Sequence, residues 1–139
     1  MLEVEVLGVA VEPGVPAPEE IARLCELAAA SRGVKRGHVA VEFVGTRRIA
    51  ELNRRHRGKD EPTDVLSFPV DGVGGVGGSQ GEPRELGDIV ICPPETTDVG
   101  EAVVHGMLHL LGMDHEADDG EMLALQDELL RHARGRAQP

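Results

Sequence analysis

The sequence predicts an α+β fold, a single domain over residues 1–139 in which a small mixed sheet of about four strands packs with about four to five helices. Three observations point there. The length suits one folded unit, and 40 % of the residues are hydrophobic, enough for a core. Short apolar runs of period two and longer runs of period 3.6 both occur along the chain. They lack the regular strand–helix–strand repeats of a doubly wound sheet.

Each element has its own signal. LEVEV alternates apolar and acidic residues, so residues 2–6 read as a half-buried strand. After VEPGVPAP, the stretch EEIARLCELAAASRG places Ile21, Leu24, Cys25 and Ala28 on one helical face, with Gly33 as its stop. HVAVEFVG, alternating Val39, Val41 and Phe43, is a second strand. Thr46 is expected to cap RRIAELNRRHR, a helix with Ile49 and Leu52 as its apolar stripe and Gly58 at its end. DVLSF, between prolines, suits a buried strand. VDGVGGVGGSQGEP is expected to be a flexible glycine-rich loop, at about residues 71–81, with no G-K-[ST] to make it a phosphate loop. LGDIVIC is another strand. EAVVHGMLHLLG reads as a helix buried around most of its circumference. EADDGEMLALQDELLRHARG reads as an amphipathic helix turning Met122, Leu125, Leu129 and Ala133 inward.

Composition narrows the function classes. Two Phe with no Tyr or Trp leave little for a nucleobase to stack on, and Phe68, inside a strand, is expected in the core. Cys25 and Cys92 form no C-x-x-C pair and are expected as buried thiols. No basic n-region opens the chain, and no window approaches the roughly 20 apolar residues of a membrane span. A soluble cytoplasmic protein with no membrane partner is the expectation. The formal charge of −11 argues on average against nucleic acid. Between Arg32 and Lys59, however, nine basic residues face two acids, a local charge of +7 that leaves −18 on the remainder. One surface can therefore attract phosphate while another repels it.

HGMLHLLGMDH carries three histidines in eleven positions. His105 and His109, at i and i+4, project from one helical face. Gly112 can take the left-handed conformation that ends a helix, letting His115 return with a third nitrogen. Three imidazoles leave a fourth coordination position open, as catalytic zinc sites do. One Zn²⁺ ion is the first choice, although the donors also admit nickel, copper or iron. The same spacing occurs in the zinc-protease signature H-E-x-x-H-x-x-G-x-x-H, whose Glu is the general base. Here that position is Gly106, which accepts no proton. Asp114 is a candidate to orient a histidine as an outer carboxylate, or to cap the turn.

Two blocks resemble the YbeY-type endoribonucleases of ribosomal RNA maturation. HGMLHLLGMDH is similar to the family's H-G-x-L-H-L-x-G-[YF]-D-H, and RGKDEPTDVLSFP to its R-x-K-D-x-P-T-[DN]-V-L-S-F-P. LGDIVIC resembles the strand between them, and Met122 with Glu128 fits the final helix; the similarity spans residues 40 to 130. The resemblance implies an α+β fold, one zinc held by His105, His109 and His115, and hydrolysis of single-stranded RNA. Ribosomal RNA precursors and the small ribosomal subunit or its assembly factors are the implied partners. Arg57 matches the arginine regarded as essential in the family. Met113 replaces a usual aromatic residue and His56 a common Tyr. Only fifteen residues separate Ile89 from His105, fewer than is usual.

Phosphodiester hydrolysis needs a charged fork on the non-bridging oxygens, which Arg57 can supply and Lys cannot copy. Arg54, Arg55 and Lys59 are expected to hold the flanking RNA backbone. Two other readings compete. A peptidase would need a base from outside the motif, and an assembly factor with a chiefly structural zinc would bind ribosomes without turnover and close the metal with a fourth protein ligand.

Overall fold

The computed structural model describes residues 2–8, 15–70 and 85–135. The glycine-rich loop expected at 71–81 lies outside them. In chain order come β1 (Leu2–Leu7), α1 (Pro18–Ser31), β2 (Gly37–Phe43), α2 (Thr46–Arg57), β3 (Val65–Pro69) and β4 (Glu85–Ile91). A short 3₁₀ turn, Pro93–Glu95, leads to α3 (Val99–Leu110) and then α4 (Glu121–Gly135). The strands are ordered β1-β2-β4-β3. β1 and β4 each run parallel to β2, while β3 is antiparallel to β4, which makes the sheet mixed.

The strand alternation separates two apolar layers. Val39, Val41 and Phe43 of β2 and Ile89 and Ile91 of β4 face α1, α3 and α4 in the main core. Leu66, Val90 and Cys92 face the other way and form a smaller cluster with Ile49 of α2. A fully buried aliphatic side chain contributes about 1.5–3 kcal/mol, so the first layer holds the fold together. Both cysteines are buried in these layers, and burial pushes the Cys25 thiol up to about 12. Neither is placed for thiolate chemistry.

Two expected details change. The cap of α2 is Gly45, in extended conformation, not Thr46. Thr46 is already helical, and its hydroxyl lies 3.8 Å from Cys92 Sγ, so it joins the helix to the sheet. Leu52 is only partly buried, whereas Asn53 is 2 % exposed and donates from Nδ2 to the Glu61 carbonyl at 2.9 Å. That bond ties α2 to the loop leading into β3. Gly58, at φ 72°, ends α2 as expected. The short link from Ile89 to His105 is filled by the end of β4, the 3₁₀ turn and the first turns of α3.

On the outer face beyond α2, β1 and β2 expose Glu3, Glu5 and Glu42, and β4 exposes Asp88. His38 lies among them. Its Nδ1 donates to the Glu85 carboxylate at 2.9 Å, and its Nε2 lies 3.3 Å from Glu5 Oε1. The hydrogen bond to Glu85 is the largest cause raising the His38 pKa above 6.5, and Glu5 adds to it. A raised histidine value means stabilisation that is complete below pH 6.5 and disappears as pH rises through the folded-state value. The difference in denaturant midpoint between wild type and His38→Gln is therefore expected to be largest in acid and to shrink above pH 6.5; a difference flat with pH would refute the assignment.

Candidate metal centre and cleft

The helix that carries His105 and His109, α3, is fixed at both ends. At its start the Asp98 carboxylate accepts the Glu101 N–H at 3.1 Å and the Arg134 guanidinium of α4 at 2.6 Å. Burial alone would raise the Asp98 carboxyl, but Arg134 and the backbone donors outweigh it and hold it below its ordinary value. At its end Gly112, at φ 98°, donates to the His109 carbonyl at 3.0 Å, and Met113 N–H donates to the Leu108 carbonyl at 2.9 Å. This paired closure is the Schellman arrangement, and it turns the chain towards His115.

Between the ends, α3 lies unusually close to the sheet. A Cβ on Gly106 would stand 2.6 Å from Ile89 Cγ2, so no side chain fits there. The Gly106 carbonyl accepts Ser67 Oγ of β3 at 3.2 Å. Position 106 therefore faces the sheet, and the missing acid of the protease signature has a packing reason: its place is taken by Ile89.

His105 and His109 remain half-buried on the adjacent flank of the helix. His109 Nδ1–H donates to the Met113 carbonyl at 3.0 Å, and His105 Nδ1–H donates to Gln126 Oε1 of α4 at 2.8 Å. Both bonds select the tautomer that leaves Nε2 as a lone pair, and the two Nε2 atoms stand 3.1 Å apart. Ligand atoms of His105, His109 and His115 all lie within 4.8 Å of one another. His115 Nδ1 is buried and has no hydrogen-bond partner among the described residues. Burial, and next the neighbouring His105, hold the His109 pKa below 6.5, so its imidazole is neutral at neutral pH. Facing lone pairs and an orphaned ring nitrogen fit a cation, and an all-imidazole donor set suits zinc.

The histidines line a cleft of about 1030 Å³. One wall comes from the end of α2 and from β3, the other from α3 and α4. Arg57 lines this cleft with all three histidines. Arg54, Arg55 and Lys59 are exposed but do not line it, and Arg55 lies 3.6 Å from Glu51. Asp114 Oδ1 accepts the Glu116 N–H at 3.0 Å, shaping the turn around His115. The imidazole orienters seen here are the Met113 carbonyl and Gln126.

Sequence reasoning missed Gln126. Its signal was a polar residue breaking the inward stripe of α4, four residues after Met122 and four before Leu130, both buried. It also missed Glu101, which lines the cleft one turn before His105. No side-chain partner of Glu101 is found among the described residues. Phe68 is half-buried rather than enclosed, and its ring stands 4.6 Å from that of His56.

A family model described as Endoribonuclease YbeY matches residues 17–134. The chain belongs to the YbeY family. YbeY relatives include the Endoribonuclease YbeY of Rubrobacter xylanophilus, 42 % identical over 125 residues that cover 86 % of this chain and 87 % of that protein. The Endoribonuclease YbeY of Bacillus cytotoxicus is 41 % identical over 133 residues, covering 79 % and 82 %. A solution structure from Thermotoga maritima superposes with a TM-score of 0.58 at 28 % identity, over 96 % of this chain and 90 % of that one.

Gly106→Glu, which completes the protease signature, is expected to yield no peptidase and a lower melting temperature, since the carboxylate is driven into Ile89. A stable variant that releases peptides would contradict this. Gln126→Leu is expected to weaken zinc binding about 10- to 100-fold in chelator competition, the ordinary cost of losing a ligand's hydrogen-bond partner. Unchanged affinity would remove Gln126 from the site.

Proposed function

We propose that the protein is a zinc-dependent endoribonuclease selective for single-stranded RNA, acting in the cytoplasm on ribosomal RNA precursors in company with the small ribosomal subunit or its assembly factors. The observation that carries this reading is the meeting of Arg57 with three converging histidines in one cleft. A site for metal and a fork for phosphate share one cleft; a structural zinc has no need of the second. Family membership supports RNA as the substrate.

The chemistry that zinc supplies in such a site is Lewis acidity towards a phosphoryl oxygen and a water made acidic near neutral pH. The chain's own groups do the rest. His105, His109 and His115 hold the ion, and Gln126 and the Met113 carbonyl keep two of the rings in the ligating tautomer. Arg57 orients the phosphodiester through its planar fork and neutralises charge that grows on the non-bridging oxygens. Glu101 carries the carboxylate on the same helical line as His105 and His109, and we assign it the proton released by the attacking nucleophile. Arg54, Arg55 and Lys59, outside the cleft, attract the flanking backbone over a longer range. Among the described residues no helix is long and apolar enough to cross a membrane.

The peptidase reading loses its support at Gly106, whose place against Ile89 leaves no room for an acid. The structural-zinc reading calls for a fourth protein ligand, and the cluster found among the described residues has three.

Purified, folded His109→Ala and Arg57→Ala are each expected to cleave a ribosomal RNA precursor roughly a hundredfold or more slowly than wild type. Glu101→Gln should lose activity while keeping its zinc. Chelation should abolish cleavage and added zinc restore it. Undiminished cleavage by both His109→Ala and Arg57→Ala would overturn the assignment.

A further inference from the structure

One stretch of the cleft wall is explained by neither the histidines nor Arg57. His56, the penultimate residue of α2, and Phe68 of β3 both line the cleft. Their ring centroids are 4.6 Å apart with the planes tilted by 59°. Phe68 packs against the cluster of Ile49, Leu66, Val90 and Cys92, which fixes its ring from beneath. His56 is exposed, and an exposed imidazole needs no aromatic neighbour, because water satisfies it. The chain has only two Phe and neither Tyr nor Trp, and Phe43 is buried in the main core. The one aromatic carbocycle at the cleft is thus spent on bracing a histidine that adjoins Arg57 in sequence.

We propose that His56, braced by Phe68, is a stacking subsite for one nucleobase of a single-stranded RNA, next to the phosphate held by Arg57. The proposal rests on the nuclease reading of the cleft and adds to it the source of single-strand selectivity. A base can reach this ring only if it leaves its neighbours in the strand, which an unpaired nucleotide does at little cost and a paired one does not. Every base offers a π face, so the subsite favours unpaired RNA without choosing strongly among sequences. An imidazole is a smaller platform than an indole or a phenol, which weakens base preference further. The surrounding wall agrees: Leu123 of α4, 47 % exposed, lines the same cleft and offers apolar contact rather than hydrogen bonds.

The test uses the full chain loaded with zinc and a short single-stranded oligoribonucleotide carrying 2-aminopurine at successive positions. Fluorescence is read by rapid mixing, before turnover. Wild type is expected to quench the probe at one position, and an abasic nucleotide at that position should weaken binding roughly 5- to 150-fold, the usual span for losing a stacked base. His56→Ala should lose the quench and bind the base-containing and abasic strands alike, with zinc content unchanged. His56→Phe should restore both the quench and the preference. A merely structural His56 would weaken both strands equally and leave their ratio intact, and that result overturns the proposal. So does a wild type that binds and cleaves the base-containing and abasic strands equally well, while leaving the nuclease reading in place. A wild type that neither binds nor cleaves any single-stranded RNA refutes both.

Discussion

The close approach of α3 to β4 is the constraint on which the site rests. Helix and sheet ordinarily keep a side chain between them; at Gly106 there is none, and Ile89 fills the space. The helix is thereby sunk in the core, with Val103, Val104, Met107 and Leu108 fully covered. Only the line through Glu101, His105 and His109 emerges, at the edge where β3 ends the sheet. Ser67 and Arg134 then fix the helix sideways and at its start. Histidines held this way are positioned by packing alone. The same constraint decides the chemistry, because the one residue that would convert the motif to a protease is the one that must have no side chain.

Charge is divided between two regions of the same outer face. The half formed by β1, β2 and β4 carries Glu3, Glu5, Glu42 and Asp88, while α2 beside it carries Arg47, Arg48, Arg54 and Arg55. Screening limits each field to about 8 Å at physiological salt, so an approaching polyanion senses these regions separately. The positive region is α2, and its last turn carries Arg57 to the cleft. A net charge of −11 therefore describes the molecule poorly. Arg54 and Arg55 are exposed on α2 and do not line the cleft.

Much of this was legible in the chain. Apolar pattern placed the four described strands and four described α-helices, by alternation where one face is wet, as in β1, and by apolar residues around most of the circumference where nearly all of it is covered, as in α3. His105, His109 and His115 were legible because helical geometry and a terminating glycine determine where their side chains converge. What escaped was information stored in pairs distant in sequence. Gly106 reads as a missing acid until Ile89 is seen beneath it. Gln126 is only a polar break in the stripe of α4 until His105 is found at its oxygen. Phe68 reads as core until His56 arrives from another element. Thr46 looked like a cap because its side chain is the right kind; Gly45 does the work with backbone alone, and the hydroxyl turns to Cys92.

Because β4 lies between β2 and β3, the chain cannot assemble its sheet by adding strands in the order of their synthesis. β2 must wait, with one edge unpaired, until residues more than forty positions later come to occupy it, as the pairing of Val41 with Ile89 shows. Closing so long a loop is a slow, entropically opposed step. Among the described strands β3 pairs with β4 alone, so its place in the sheet depends on β4. Only then does α3 have Ile89 to lie against, and only then do its histidines gain a wall opposite. The cleft thus exists only when β3, β4 and α3 are all in place, and a partly folded chain, however well its helices have formed, has no place to cut.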